Sequence, residues 1–472
     1  MFNIFSNTKR IVFTGAVASF FVFSSSAQVY TAKDDPVGDN LQTVDNIDDF
    51  NDAQWWRRFN DPLLDSLITK GVENNYNVSM AAKRINVAKY SLMSTRSAYY
   101  PTVDVNVGWS ADRISGTTSS RYGAAANSSY FDADLSLSWE IDLFGRVQSK
   151  TKQNKAQIKV SRADYEATMV SLRAQIATAY FQLRMYQKEL EIAKRHSESQ
   201  DKVVKITETR HEVGLASMVD VSQARMVYYS TLASIPQLEN SIHTSINSIA
   251  VLIGENPQNL YAVLEQPREL PDCNQLIPSS IPMNAIERRP DVMEAKYNID
   301  VAAAEIGIAK KDYLPMLTLT GTIGTEAHDI GDLFQKNSLI YSIVPTLSWT
   351  VFEGFSRKAN VASAKENMEI EIDNYNLTLT TAFQEADNAL NSYLSNIKYM
   401  KNIEDVIENS KRADELSLDL YKRGLGTFTN VMDAIMSLLE YENEYVEAQG
   451  NALNSLVSLY KALGGGWQNN ID

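Results

Sequence analysis

The sequence of 472 residues contains one cysteine, Cys273, and four histidines. A single cysteine excludes an intramolecular disulfide and a metal cluster held by several thiolates. No two histidines stand at the spacing of paired metal ligands. The sequence therefore predicts neither a metal site nor a bound cofactor.

Positive charge is also scarce. The chain has 44 Lys and Arg against 58 Asp and Glu, a formal net charge of −14 and a sequence pI of about 5.0. No basic surface is available to neutralise phosphates, which excludes nucleic acid as a partner. The GxSxG, HExxH and glycine-rich phosphate-loop patterns are missing as well, so we predict that the protein is not an enzyme.

Long apolar runs are missing beyond the N-terminus. There, Lys9 and Arg10 precede an apolar run over residues 11–23, and Ala27 closes a small-x-small pattern. This arrangement predicts a signal peptide over residues 1–27. The run is shorter than the roughly 20 residues of a spanning helix. No cysteine stands near the predicted cleavage site, so we expect no lipid anchor.

What the chain does contain is an internal duplication. The segments LSLSWEIDLFGR and TLSWTVFEGFSR place their tryptophans, 139 and 349, 210 positions apart. The same offset relates Tyr165 to Tyr375, Gly214 to Gly424 and the LIG ending at residue 254 to the ALG ending at residue 464. Two copies of one long unit indicate a quasi-symmetric architecture rather than a globular enzyme with one pocket.

Each copy contains two segments in which apolar and polar residues alternate. The apolar positions are Val103, Val105, Val107 and Trp109; Leu135, Leu137, Trp139 and Ile141; Leu317, Leu319 and Ile323; and a similar run over residues 342–350. Such segments suit transmembrane strands that are apolar outward and polar inward. A half-buried soluble hairpin would show the same alternation. Polar loops over residues 113–130 and 326–337 favour the membrane interpretation, with Trp109, Trp139, Tyr341 and Trp349 as membrane-interface aromatics.

The remaining chain has a helical pattern. Residues 147–212 and 358–423 are free of proline, and glycine does not interrupt them, which predicts two rods of about 100 Å each. Shorter helices are predicted over 219–253, 429–463, 63–99 and 284–314. Two short helices stacked end to end would match one rod in length, as in coiled-coil packing.

These patterns divide the chain as follows. After the signal peptide come an N-terminal equatorial segment (28–61), at the mid-height of the rods, and a first repeat (62–261) with a hairpin over about 102–142. A second equatorial segment (262–283), a second repeat (284–464) with a hairpin over about 316–351, and a C-terminal tail (465–472) complete it.

Five segments carry a resemblance to a known family. They are WWRRFNDPLLDSLI (55–68), SWEIDLFGR (138–146), IERRPDV (286–292), IGIAKKDYLP (306–315) and ALGGGW (462–467). With the duplication, they resemble the TolC-type outer-membrane efflux proteins, and in particular the branch that serves tripartite drug and metal pumps (NodT-like, OprM-like). The likeness covers nearly the whole mature chain.

The resemblance implies a mixed α/β membrane protein that forms a homotrimer. Each subunit would contribute four strands to a twelve-stranded outer-membrane β-barrel, surrounded by outer-membrane lipid, and long coiled-coil helices to a periplasmic tunnel. The implied function is a passive exit duct for drugs or metal ions, with a periplasmic adaptor protein and an inner-membrane pump of the RND type as partners. A type I protein-secretion duct and a soluble periplasmic coiled-coil scaffold remain as alternatives.

The resemblance also assigns roles at two tip turns. Adaptor docking is expected at Val213, Gly214, Leu215, Ser217, Arg423, Gly424, Leu425 and Thr427. Asp220 and Tyr421 match family lock residues and Asp433 matches a constricting acidic ring, while Asn430 stands where a second ring aspartate is common. Ser217 and Thr427 are candidate helix caps. Asp220 and Asp433 could alternatively cap or solvate helix ends. Gly426 replaces a basic lock residue, so hydrogen bonds or apolar packing could close the tip instead of salt bridges.

Overall fold

The computed structural model describes residues 43–44, 54–114, 126–273, 277–278, 281 and 283–466. The predicted signal peptide, most of the loop in the first hairpin and the end of the C-terminal tail lie outside the described residues. The helices and strands, in chain order, are β1 (Thr43–Val44), α1 (Pro62–Asn74), α2 (Tyr76–Ser97), β2 (Thr102–Ile114), β3 (Ala126–Ile141), α3 (Arg146–Glu212), α4 (Met218–Ile253), α5 (Gln258–Leu264), β4 (Ile277–Pro278), α6 (Met283–Glu287), α7 (Pro290–Lys311), β5 (Met316–Ala327), β6 (Leu339–Ser348), α8 (Ser356–Lys422) and α9 (Phe428–Ala462). Within the described residues, short 3-10 helices cover Trp55–Phe59, Ile330–Asp332 and Lys336–Ser338.

The two longest helices, α3 and α8, have 67 residues each. At 1.5 Å per residue each extends for about 100 Å. Asp142 stabilises the start of α3, because its two carboxylate oxygens accept hydrogen bonds from the backbone N–H groups of Val147 (3.1 Å) and Gln148 (2.9 Å). These bounds agree with the helices predicted from the absence of proline and glycine.

The shorter helices pack alongside the long ones. Both α2 and α4 pack on α3, while α7 and α9 pack on both α3 and α8. The rods therefore follow the order α2 with α4, then α3, then α7 with α9, then α8. This order leaves α2 and α4 at one edge of the helical layer and α8 at the other.

Two helices predicted as continuous are interrupted. The stretch 63–99 breaks at Asn75, which leaves the helical conformation (φ −65°, ψ 128°) and accepts hydrogen bonds from the N–H groups of Asn77 and Val78. The stretch 284–314 breaks before Pro290, because the proline ring disfavours the helical conformation of the preceding Arg289. Asn75 also donates a 2.8 Å hydrogen bond to the Leu252 carbonyl, so the break joins α2 to the end of α4.

The four long strands form one antiparallel sheet in the order β2-β3-β5-β6. Residues that pair directly across strands share a face, so the register through Val105, Leu135, Ile323 and Tyr341 puts the apolar positions of all four strands on one side. The opposite face carries hydroxyls, amides and carboxylates. Each outer strand, β2 and β6, has a free edge within the described part of the chain.

The main hydrophobic core lies at the mid-height of the rods. It contains residues of two sequence motifs, WWRRFNDPLLDSLI (55–68) and IERRPDV (286–292). Trp55 stacks on Tyr460 of α9 with ring centroids 5.0 Å apart and an interplanar angle of 12°. Arg289, which is buried, donates hydrogen bonds to Glu385 (2.7 Å) and to the Ala462 carbonyl (3.1 Å). The core thereby fixes α7, α8 and α9 to one another midway between the sheet and the opposite end of the rods.

Candidate functional site at the helical tip

Both rods reverse direction at glycine turns. Gly214 (φ +78°) follows α3 and Gly424 (φ +74°) follows α8, and this left-handed conformation has no steric cost in glycine. The N–H of Leu215 donates to the Arg210 carbonyl at 2.7 Å, and that of Leu425 donates to the Leu420 carbonyl at 2.9 Å. These are Schellman-type helix ends. The side chain of Arg210 donates a hydrogen bond to the Lys422 carbonyl, so both turns lie at the same end of the molecule, which we call the tip.

The residues assigned to adaptor docking lie at the surface of the tip. The side chains of Val213 and Leu215 are each 65% exposed, and that of Leu425 is 74% exposed. Arg423 is also exposed and forms a 2.9 Å ion pair with Asp419 one helical turn earlier. The tip therefore presents apolar side chains to its surroundings in both repeats.

The two candidate helix caps behave differently. Ser217 Oγ accepts a hydrogen bond from the Asp220 N–H (3.2 Å), and Asp220 Oδ2 accepts one from the Ser217 N–H (3.3 Å), which completes a capping box on α4. Thr427 occupies the equivalent position before α9 but makes no side-chain capping hydrogen bond. The cap prediction is confirmed for Ser217 and wrong for the Thr427 side chain, and the reciprocal pair that Asp220 completes with Ser217 has no counterpart between Asn430 and Thr427.

Tyr421 lies inside the tip rather than on its surface. Its ring is 4% exposed and meets Phe428 edge-to-face, with centroids 5.3 Å apart. The guanidinium of Arg210 lies 4.8 Å from the ring centroid and donates a 2.7 Å hydrogen bond to the Lys422 carbonyl. Burial, followed by the nearby charge of Asp220, raises the pKa of the Tyr421 hydroxyl. Tyr421 thus packs the second repeat against the first.

Asp433 and Asn430 occupy the first two turns of α9 with exposed side chains. Neither side chain makes a hydrogen bond or an ion pair with another residue that the structure describes. The structure therefore buries Tyr421 within reach of the charge of Asp220 but leaves Asp433 and Asn430 on the surface of the protomer.

Arg210 was missed as a tip residue by the sequence reasoning. The resemblance assigns it no role, and the equivalent position of the second repeat is Leu420. A cation beside a buried tyrosine gains from the negative potential of the ring face. The useful sequence signal is a single arginine one turn before the glycine in one repeat only.

The four predicted interface aromatics lie at different heights of the sheet. Trp139 is near the helical end, and Trp349 just beyond β6 donates a 3.0 Å hydrogen bond from its indole N–H to the Tyr313 carbonyl. Trp109 pairs with Phe131 near the opposite end, eight residues or about 26 Å along β3 from Trp139. Tyr341 pairs with Ile323 and so lies between these two levels. Three of the four aromatics therefore mark the ends of the apolar face.

Among the residues that the structure describes, no helix combines the length and apolar character required for a membrane span. The described part of the chain also lacks a cluster of three or more His, Cys, Asp or Glu side chains arranged to hold a metal ion.

Comparison with known proteins identifies the family. A model described as outer membrane efflux protein matches twice, over residues 67–255 and 281–465. The probable efflux pump outer membrane protein TtgC of Pseudomonas putida is 29% identical over 436 residues, which is 92% of this chain and 89% of TtgC. The pyoverdine export outer membrane protein OpmQ of Pseudomonas aeruginosa is 28% identical over 424 residues, 88% of each chain.

Solved structures agree with this match. The outer-membrane channel OprN superimposes with a TM-score of 0.82 at 27% identity, covering 88% of this chain and 93% of that one. The CmeC outer membrane channel of Campylobacter jejuni has the same fold, with a TM-score of 0.82 at 24% identity and 89% of each chain covered. These likenesses assign the protein to the outer membrane, with its body extending into the periplasm of a Gram-negative cell. The chain belongs to the outer membrane efflux protein family.

Proposed function

We propose that this protein is the outer-membrane exit duct of a tripartite efflux system. It passively conducts small molecules, drugs or metal ions, from a pump and adaptor complex to the exterior. Three copies form the duct, and the tip gates it. One observation carries the proposal. The sheet ends in the free edges of β2 and β6, the helical layer ends in α2 with α4 and in α8, and the free edges of the two layers coincide on both sides of the described protomer.

The edges fit a closed ring of identical subunits. Strand β2 follows α2 directly, and β6 leads into α8, so each sheet edge continues into one edge of the helical layer. Tyr76, Tyr90 and Met93 expose apolar surface along α2, and Ile370 and Leu377 do so along α8. A contact between two different edges repeats from one copy to the next. The copies form a closed ring when the rotation between neighbouring copies allows it. Three copies of a four-stranded sheet would give a twelve-stranded barrel with no free edge.

The two faces of the sheet suit this placement. The apolar face, with Trp109 and Trp139 about 26 Å apart along the strands, matches the apolar band of outer-membrane proteins. The polar face would line a water-filled bore. Asn106, which lies on it, donates hydrogen bonds to Asp134 (3.1 Å) and Ser136 (3.0 Å).

The tip supplies the contacts with partners. The exposed Val213, Leu215 and Leu425 offer apolar anchors for a periplasmic adaptor, and Gly214 and Gly424 hold the turns in the docking conformation. TtgC and OpmQ are named as outer membrane proteins of a pump and of an export system, which supports adaptor and inner-membrane RND-type pump partners here. A passive duct needs no substrate pocket, because the pump can select the cargo.

The gate in this proposal combines two elements. Tyr421 packs the two repeats together at the tip, and the charge of Asp220 lies close to its ring. Three symmetry-related Asp433 carboxylates, with Asn430 one turn before each, line the narrowest point. Like charges in a narrow bore attract cations and oppose complete closure.

The test is conductance of the purified protein in planar lipid bilayers. The protein should require detergent, run as a trimer and form channels that divalent cations block. Asp433→Ala should abolish the block, whereas Glu212→Ala, which removes an exposed tip carboxylate outside the gate, should retain it. Unchanged block in Asp433→Ala would refute the role of Asp433. A monomer that is soluble without detergent would refute the duct and favour a periplasmic scaffold.

A further inference from the structure

The two halves of the chain meet along an antiparallel seam between α3 and α9. Two apolar clusters line this seam. One belongs to the equatorial core and includes Ile192 of α3 and Val446 of α9. The other lies at the tip and includes Val204 of α3 and Val431 of α9. The seam is therefore apolar at both ends of this stretch.

Between the clusters the seam is polar although it is buried. His196, Ser197 and Gln200 of α3 and Glu442 of α9 are all less than 9% exposed. These buried polar groups therefore separate the two apolar clusters along the seam. We call these four residues the polar layer.

Glu442 connects the two halves within the polar layer. His196 Nε2 lies 2.7 Å from Glu442 Oε2, and Arg195, also on α3, forms an ion pair with the same oxygen. Lys411 of α8 lies 3.3 Å from Glu442 Oε1. Burial alone would raise the pKa of Glu442, but the His196 hydrogen bond and the surrounding positive charges outweigh it and lower the pKa to about 2. Glu442 is therefore ionised at neutral pH.

The polar layer is incompletely satisfied. Gln200 is 2% exposed, and neither its side-chain oxygen nor its nitrogen has a hydrogen-bond partner among the described residues. Buried polar groups without partners favour states in which water reaches them. On the equatorial side of the layer, by contrast, Gly450 contacts Met185 so closely that a Cβ atom on Gly450 would lie 2.8 Å from the Met185 sulfur. The seam is thus closely packed on the equatorial side of the polar layer, whereas within the layer it is held by the contacts of Glu442 and leaves the Gln200 side chain without a partner among the described residues.

We propose that the Glu442 polar layer is the joint of the seam, that is, the point about which α3 and α9 move relative to each other. Between the layer and the tip the two halves separate when the tip opens. Between the layer and the equatorial core they stay together. The proposal rests on the gated duct described above. The tip cluster has few buried residues, so parting it exposes little apolar surface, whereas parting the equatorial core would expose far more. The long side chains of Arg195 and Lys411 let Glu442 keep its contacts during a small movement.

Distances between spin labels within one protomer test this joint. The lower pair places labels at Thr209 and Met436, and the upper pair at Glu191 and Asn451, all exposed positions on α3 and α9. The background is Cys273→Ser, and labelled chains are diluted with unlabelled ones. Tyr421→Ala loosens the tip cluster. It should widen the distance distribution of the lower pair and leave the upper pair unchanged.

A second experiment removes the ionic contacts of Glu442 that connect the two halves. Glu442→Gln, added to Tyr421→Ala, should widen the upper pair as well. Glu444→Gln is the matched control, because Glu444 lies on the same helix but accepts a 2.7 Å hydrogen bond from Tyr399 within the second half. If Glu442→Gln fails to fold, His196→Leu should reproduce its effect, and Lys411→Gln, which removes a contact within the second half, should not.

Two outcomes overturn the joint: an upper pair that widens in Tyr421→Ala alone, or an upper pair that responds equally to the Glu442 and Glu444 variants. The distances are measured whether or not the protein conducts. A protein that forms no channels in bilayers would therefore refute the proposed duct, while the label distances still decide the question of the joint.

Discussion

Ser217 and Asp220 exchange hydrogen bonds of 3.2 and 3.3 Å at the start of α4, whereas Thr427 and Asn430, at the equivalent positions of the second repeat, do not. The duplicated chain therefore has one tip turn with a capping box and one without. The tip turn of the second repeat is instead held from outside, by the hydrogen bond from Arg210 to the Lys422 carbonyl.

This asymmetry gives a matched pair of substitutions. Ser217→Ala should reduce the free energy of unfolding by about 1 kcal/mol, because it removes a side-chain cap. Thr427→Ala should change it by less than about 0.5 kcal/mol, since that hydroxyl caps nothing. Urea denaturation in detergent measures both. Equal losses would mean that the capping box does not stabilise α4.

Replacing a tip glycine by any other residue should destabilise the fold, because the positive φ of the glycine disfavours residues that carry a side chain. Nothing lies within 4 Å of the position that a Cβ atom would take on Gly214, yet its φ of +78° disfavours other residues. We expect Gly214→Ala to cost about 1–2 kcal/mol. Gly331 also has open space around it but no positive φ, so Gly331→Ala is the control and should cost less than about 0.5 kcal/mol. Similar costs for the two variants would mean that the positive φ of Gly214 is not the cause of its sensitivity.

Glu189 should make stability depend on pH near neutrality. Burial, and then the charge of Glu447, raise the pKa of Glu189 to about 7. The folded state therefore binds a proton more tightly than the unfolded chain, and this stabilisation is lost as the pH rises through about 7. Glu189→Gln should raise the melting temperature at pH 8, by on the order of 2 °C, and have little effect at pH 5. The exposed Glu198→Gln should show no such difference, and equal shifts at both pH values would contradict the assignment.

Substitution of Arg289 should reduce the free energy of unfolding far more than substitution of the adjacent Arg288. It is buried and bonds to Glu385, Asp291 and the carbonyl at the end of α9. Arg289→Leu should cost about 1–3 kcal/mol, because it leaves buried acceptors without a donor. Arg288 is exposed, so Arg288→Leu should cost less than about 0.5 kcal/mol. Comparable urea midpoints for the two variants would contradict this interpretation.

Local patterns in the sequence were sufficient to predict much of the architecture. Alternation around Trp139 predicted the strands, and the glycines at 214 and 424 predicted where the rods reverse. Both features depend on residues close together in the chain. The breaks at Asn75 and before Pro290 were missed because the apolar periodicity continues across them, although the proline was a local signal for the second break.

The contacts that cross the molecule were not predictable in this way. Glu442 and His196 are 246 positions apart, and Arg289 and Glu385 are 96 positions apart. Nothing near either residue in the sequence indicates its partner, so a buried ion pair and a solvated surface charge look alike. At the tip, the burial of Tyr421 depends on Arg210 and Phe428, which come from different helices. The docking assignment remains a prediction, as does the gate assignment, which the conductance measurement of Asp433→Ala tests.

The equal length of the two rods, 67 residues each, limits how the molecule can change size. Removing one or two turns from α3 alone would lift one reversal away from the other and uncouple Arg210 from Lys422. A shorter homologue would therefore need concerted deletions in four helices: both rods and the two partners that return along them. Natural variation in periplasmic reach should accordingly occur in steps shared by both repeats, and an isolated insertion in one repeat should be rare.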